Sequence, residues 1–169
     1  MGAAEHHAGA RRPAACAVIT ASDTRTAETD ASGQRIRALL EQAGHRVVAY
    51  GILPDDPEGI GRRLDELLAD PAVDAVIVNG GTGLAPRDTT YEAVAARLEK
   101  RIDGFGELFR SLSFAEIGAA AMLSRAVAGV ARGRIVASLP GSTAAVELAM
   151  SRLLVPQLSH MVGLVRGGG

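Results

Sequence analysis

The chain has one cysteine, Cys16, one lysine, Lys100, almost no net charge and no long uninterrupted apolar run. A lone cysteine cannot form a disulfide within the chain and leaves no cysteine set for a zinc site. No apolar run approaches the ~18 residues of a membrane-crossing helix, so no membrane partner is expected. Arg11 and Arg12 are not followed by the apolar stretch of a signal peptide. Residues 1–13 read as a disordered tail, where His6 and His7 bind metal at most adventitiously, and a cytoplasmic protein is expected. The formal charge of -1 gives no basic field for nucleic acid. With lysine almost absent, the cations are arginines, whose forked guanidinium suits phosphate oxygens. General compositional bias toward Ala, Gly and Arg is the plainer source of that excess.

What is present suffices for one folded domain over residues 14–169. The full 169 residues are 47% hydrophobic and 22% charged. Neither a repeat nor a low-complexity linker divides them.

Cys16–Thr20 predicts a buried strand. Ile36, Leu39, Leu40 and Ala43 recur at the helical period, and Gly44 stands where a C′ glycine ends a helix. Arg46–Ile52 predicts a second strand. Asp56-Pro57 has the N-cap and N1 order of a helix start, ahead of the apolar face Ile60, Leu64, Leu67 and Leu68. Ala75–Val78 predicts a third strand. Thr89-Thr90-Tyr91-Glu92 fits a capping box, followed by the stripe Tyr91, Val94, Ala95 and Leu98. Phe105, Leu108, Phe109 and Leu112 mark another helix. Val127–Ala131 and Arg134–Leu139 read as two strands turning at Gly133. A last helix starts near Ser142, with Val146, Ala149, Met150 and Leu153 on one face. Repeated strand–helix alternation predicts an α/β fold with a mostly parallel sheet covered on both faces.

Open parallel sheets bind ligands beyond the carboxyl ends of their strands. Four polar loops fall in that position: SDTRTAETD, PDD, NGGTGLAPRD and LPGST. In the third, Gly80, Gly81 and Gly83 allow close backbone approach and present N–H groups, while Thr82 adds a hydroxyl. Asp88 would repel a bare phosphate but suits one bridged by a divalent cation. The alternative is a tight turn with Asp88 favouring a helix dipole. Asp56 is explained as an N-cap. Asp55 is either a spare surface acid or a partner of Asp88 around Mg²⁺. Gly141 and Ser142 repeat the glycine-plus-hydroxyl design, or Ser142 is simply an N-cap. Ser22 and Asp23 either meet a ligand or turn the chain. His45 is expected to be exposed, His160 has no identifiable partner for catalysis, and Met122-Leu123 is expected in the core. Neither Gly81-Thr82-Gly83 nor Gly104-Phe105-Gly106 completes a dinucleotide fingerprint, and the lysine of a P-loop is absent.

Taken together, SDTRTAETD, GGTGLAPRDTTYEAV, IDGFGELFRSLSFAEIGAAAMLSRAVAGV and LPGSTAAVELAM resemble the MoaB/Mog family of molybdenum-cofactor biosynthesis proteins. The segments FAEIG and LSRAVAG point to its MoaB branch. The resemblance implies a three-layer α/β/α domain that binds molybdopterin and adenylylates it with Mg-ATP, releasing pyrophosphate. It implies Asp55 and Asp88 as functional acids, holding Mg²⁺ and orienting the attacking phosphate. Gly80, Gly81, Thr82, Gly83, Gly141 and Ser142 would hold phosphates, with Ser22, Asp23 and Ser113 as further contacts. Homo-oligomers are implied, trimers or hexamers, along with other cofactor-biosynthesis proteins as partners. Two departures stand out: Asn79 where threonine often precedes GGTG, and LPGST where many relatives continue with proline. The second leaves an alternative, a non-catalytic molybdopterin-binding or assembly oligomer of the same pathway.

Overall fold

A computed structural model describes residues 12–167. Most of the N-terminal tail, with His6 and His7, lies outside the described residues; Arg12 and Pro13 are exposed and in no regular element. Six strands form one sheet in the order β2-β1-β3-β6-β5-β4. They are β1 (Ala15–Ala21), β2 (Arg46–Leu53), β3 (Ala75–Asn79), β4 (Lys100–Arg101), β5 (Val127–Ala131) and β6 (Arg134–Leu139). β2, β1, β3 and β6 pair in parallel. β5 runs against both its neighbours. The turn into β6 is only two residues, Arg132 and Gly133, both with positive φ as a type I′ hairpin turn requires.

β1, β3 and β6 are buried almost throughout, as strands covered on both faces should be. Their alternate residues separate into two cores. Cys16, Val18, Ile77, Ile135 and Leu139 face one way, with side chains of α1 (Ala31–Gln42), α4 (Asp103–Ile117), α5 (Thr143–Ala149) and α6 (Val155–Val165). Ala17, Ile19, Val76, Val78 and Val136 face the other way, toward α2 (Pro57–Ala69) and α3 (Thr90–Ala95). The expected three layers are present. The two-residue strand β4 has no apolar period of its own that would mark it in the sequence.

The last helix departs from expectation in length. A π turn at Met150–Leu154 joins α5 to α6, giving one helix over Thr143–Val165 that is long and apolar enough to cross a membrane. Its side chains explain that apolarity otherwise: Val146, Ala149, Met150, Leu154, Leu158 and Val162 are buried in the first core.

His45 corrects the sequence reading, because it is buried. Gly44, at φ 85°, donates to Glu41 O, and His45 N donates to Leu40 O. This Schellman arrangement turns the residue after the glycine inward. His45 Nδ1 accepts the Ala14 N–H at 3.0 Å, which requires the unprotonated nitrogen. Burial lowers its pKa below the usual histidine value. A lowered folded pKa means that this stabilisation is present above the unfolded value near ~6.5 and lost as pH falls below it. The acid-side slope of stability between pH 7 and 5 is therefore expected to be shallower in His45→Gln, as urea titrations at several pH values would measure.

Candidate functional site

β1 connects through α1 to β2 on one side, and β2 returns through α2 to β3 on the other. The sheet order therefore reverses between β1 and β3, and a crevice opens at their carboxyl ends. A cavity of about 530 Å³ occupies it. All four loops singled out in the sequence reach it: Ser22 and Asp23 after β1, Asp55 after β2, Gly80–Gly83 and Asp88 after β3, and Gly141 after β6.

The GGTG loop has the shape its glycines allow. Gly80 and Gly81 have φ of 94° and 66°, which side-chain-bearing residues rarely adopt. A Cβ on Gly80 would strike Ala21 O, and one on Gly81 would meet Thr90 Oγ1 and Asp55. Gly80 N donates to Leu139 O at 2.9 Å, tying the loop to the end of β6. The N–H groups of Gly81, Thr82 and Gly83 have no acceptor among the described residues.

Asp55 and Asp88 come together against this loop. A Cβ on Gly81 would lie 2.7 Å from Asp55 Oδ2, and one on Gly83 would lie 2.7 Å from Asp88 Oδ2. Their surroundings differ. Asp55 Oδ1 accepts the Thr89 N–H at 3.3 Å, the Thr89 hydroxyl at 3.1 Å and the Thr90 hydroxyl at 3.4 Å. It therefore caps α3 from another loop. This corrects the expected capping box: Thr89 makes no side-chain cap of its own, and Glu92 pairs with Arg125 instead. Asp88 accepts only the Ala85 N–H, at 3.1 Å on Oδ2. Each carboxylate keeps one oxygen without a partner among the described residues. Asp23 Oδ1 accepts the Asp55 N–H at 3.0 Å and so fixes the PDD loop. Asp56 caps α2 as expected, accepting the Gly59 N–H at 2.7 Å.

Beneath the cavity lies a buried polar network that the sequence reading missed. Asp30, fully buried at the N-cap of α1, accepts from Thr20 Oγ1 at 2.7 Å, Tyr50 OH at 2.6 Å and Gly33 N at 3.0 Å. Arg25 approaches Asp30 at 3.6 Å and donates to Ser32 Oγ and, at 2.9 Å, to Gly141 O. Asn79 donates to Thr20 Oγ1 and accepts from Ser32 Oγ at 2.7 Å. The asparagine that departs from the family pattern is thus a buried bridge between β1, α1 and β3. Burial alone would raise the Asp30 pKa. The hydrogen bonds from Tyr50, Thr20 and Gly33 and the charge of Arg25 outweigh it and hold the carboxyl below its usual range. Tyr50 is pushed up to about 12 by burial and by its bond to Asp30.

Not every predicted residue reaches the cavity. Ser113 is buried on α4 and is not among the cavity residues, because the helical period turns it toward the core. Ser142 does not line the cavity either; its hydroxyl caps α5, accepting the Ala145 N–H at 3.2 Å. Met122 and Leu123, expected in the core, are 76% and 50% exposed, because a 3₁₀ segment (Gly118–Leu123) carries them outward. Leu123 and Ser124 form one wall of the cavity. Arg25 and Arg87 also line it, and Arg87 is exposed with no hydrogen-bond or ion-pair partner among the described residues. Both arginines lie inside the quoted loops, so a search for phosphate-matching cations within them would have found them.

Among the described residues, no set of three His, Cys, Asp or Glu side chains could hold a metal ion by itself. Asp55 and Asp88, each lying against the glycine loop with one free oxygen, are the carboxylates the cavity offers there, with Asp23 beside them fixing the Asp55 backbone. That donor set suits Mg²⁺, which is commonly bound by one or two carboxylates together with substrate phosphates.

Residues 17–160 match the family model described as "Probable molybdopterin binding domain". The molybdenum cofactor biosynthesis protein B of Halalkalibacterium halodurans is 50% identical over 163 residues, which is 96% of this chain and 96% of the relative. A crystal structure of a molybdenum cofactor biosynthesis protein B superposes with a TM-score of 0.90 at 48% identity, covering 94% of this chain and 99% of that one. The tungsten cofactor synthesizing protein MoaB of Pyrococcus furiosus gives 0.82 at 34% identity, over 92% and 98% of the two chains.

Proposed function

The chain belongs to this molybdopterin-binding family of cofactor-biosynthesis proteins, and we propose that it joins AMP from Mg-ATP to the terminal phosphate of molybdopterin. The observation that carries the proposal is the pairing of two carboxylates with three unpartnered N–H groups on one glycine loop at the switch point. N–H groups stabilise phosphate oxygens without bringing a counter-charge that must be displaced. Carboxylates beside a phosphate site make sense only where a cation lies between them. Asp55 and Asp88 would hold that Mg²⁺, which would offset the charge of two polyanions brought together.

An oxygen of the pterin phosphate attacks the α-phosphorus of ATP. A P–O–P bond forms, the α–β bridging bond breaks, and pyrophosphate leaves. No protein nucleophile is needed, and positioning supplies much of the rate. Gly81–Gly83 hold phosphate oxygens, and Arg87 and Arg25 face the same anions. The reading carries with it a cytoplasmic location and a homo-oligomer. The exposed apolar side chains Leu108, Phe114, Ile117 and Met122 support the latter.

One observation favours a second reading. Ser142 is taken up in capping α5, so the fourth loop gives the cavity backbone and proline but no hydroxyl. A protein that binds molybdopterin without transferring AMP would have less use for that hydroxyl. Pyrophosphate release separates the two. Transfer predicts pyrophosphate in step with pterin consumed and none without pterin. Pterin bound with no pyrophosphate released would favour the second reading.

A further inference from the structure

We infer that Arg125 is a positioning residue for the GGTG loop, one that holds the loop carbonyls back so that its N–H groups face the cavity; the inference rests on the phosphate-binding reading of that loop. Arg125 lies just ahead of β5, separated from it by Ala126, and about forty residues along the chain from the groups it holds. Its Nε donates to Thr82 O at 3.1 Å. Its Nη2 donates to Gly83 O at 2.7 Å and to Asp88 O at 3.0 Å. Its Nη1 pairs with the Glu92 carboxylate, and the guanidinium lies over the Tyr91 ring, 4.8 Å from the centroid. Most of the guanidinium's five N–H donors are thus aimed at protein acceptors. Arg125 acts through the loop and is not itself a ligand group.

The geometry of the trans peptide gives these bonds their consequence. C=O and N–H of one peptide unit point to opposite sides. Holding Thr82 O toward Arg125 therefore turns the Gly83 N–H away from it. Gly81 O is held on the other flank by the Thr90 N–H at 3.2 Å, which orients the Thr82 N–H in turn. Thr82 is buried, and a buried N–H without an acceptor is unfavourable by itself. A glycine-rich segment left alone has many backbone states of similar energy through which to relieve this. Arg125 removes that freedom by giving two successive carbonyls one charged donor group. The same guanidinium fixes the backbone of Asp88, and so the base from which its carboxylate reaches Gly83. A planar fork is required: a lysine ammonium at this place is a single point charge on a flexible stem and cannot span three carbonyls.

The test uses the full chain labelled with ¹⁵N-glycine, in Arg125→Met, Arg125→Lys and Glu92→Gln forms. Amide relaxation reports the mobility of Gly80, Gly81 and Gly83, and calorimetry reports the affinity for inorganic pyrophosphate. In Arg125→Met the Gly81 and Gly83 amides are expected to become mobile on the ps–ns scale and pyrophosphate to bind about 10- to 100-fold more weakly. Arg125→Lys should fall between Arg125→Met and wild type, and it serves as the folded variant if Arg125→Met does not fold. Glu92→Gln removes an exposed ion pair but no carbonyl contact, so its affinity should stay within about threefold of wild type. Rigid glycine amides in the Arg125 variants, or an equal loss in Glu92→Gln, would overturn the inference. Wild-type protein that binds no pyrophosphate would count against the phosphate reading of the loop, while amide mobility would still decide the role of Arg125.

Discussion

Asp88→Ala is expected to lower AMP transfer by about 10²- to 10³-fold while leaving the fold in place. The asymmetry between the two acids makes this a sharp expectation. Asp88 has one backbone bond, to the Ala85 N–H at the rim of its own loop. Removing it costs one partly exposed hydrogen bond, on the order of 1 kcal/mol or less, and a shift in melting temperature of only a few degrees. The oxygen against Gly83, Oδ2, is the one that makes this bond, and Oδ1 has no partner among the described residues. Asp55→Ala is expected to lose transfer too, but also about 1–2 kcal/mol of stability, because it removes the acceptor for Thr89 and Thr90 at the start of α3. Kinetics and thermal melting of the two variants side by side would check this. An Asp88→Ala protein that unfolds, or one that transfers AMP at the wild-type rate, would show that the acid is not the functional one.

Asp30→Ala should produce the largest loss of stability, about 3–5 kcal/mol. The carboxylate is fully buried and is the shared acceptor for Thr20, Tyr50 and the Gly33 N–H, with Arg25 alongside. Truncation strands two hydroxyls and leaves the Arg25 charge without its counter-ion. For a chain of this size such a loss lowers the melting temperature by about 10 °C. The damage would spread to the cavity, because Arg25 also holds Gly141 O and Asn79 joins the same network at the root of the GGTG loop. The lowered Asp30 pKa adds a pH signature. The contribution is present above the unfolded carboxylate range and is lost as pH falls through the lower folded value. Tyr50 bounds it from the other side: its pKa is raised to about 12, so its contribution fades as pH rises through that value. Denaturation of Asp30→Ala and Tyr50→Phe across pH would measure both edges.

These examples show which parts of the molecule could be read along the chain. The apolar periods located the main strands and helices, and glycine-rich or acidic loops after strands located the cavity, because both are local patterns. The network around Asp30 could not be read that way. Arg25 meets Gly141, and Arg125 meets Thr82 and Gly83, across separations that only the sheet order closes. Local rules also gave wrong assignments, one of them where a distant partner outcompeted a near one. Thr89 reads as an N-cap by spacing, yet the Asp55 carboxylate takes both its hydroxyl and its N–H. Ser113 reads as a polar residue in a family motif, yet its helix turns it into the core. His45 reads as exposed beside a glycine, yet the helix-ending motif that the glycine creates turns it inward.

The proposed function requires the phosphates to bind at the Gly80–Gly83 backbone, with Asp55 and Asp88. Titrating ¹⁵N-glycine-labelled protein with Mg-ATP, and separately with molybdopterin, tests it most directly. Large amide shifts are expected at Gly80, Gly81 and Gly83 and a smaller one at Gly141, with Gly118 and Gly133 unmoved. Shifts confined to glycines away from the β1–β3 crevice, with the GGTG amides unchanged, would contradict it.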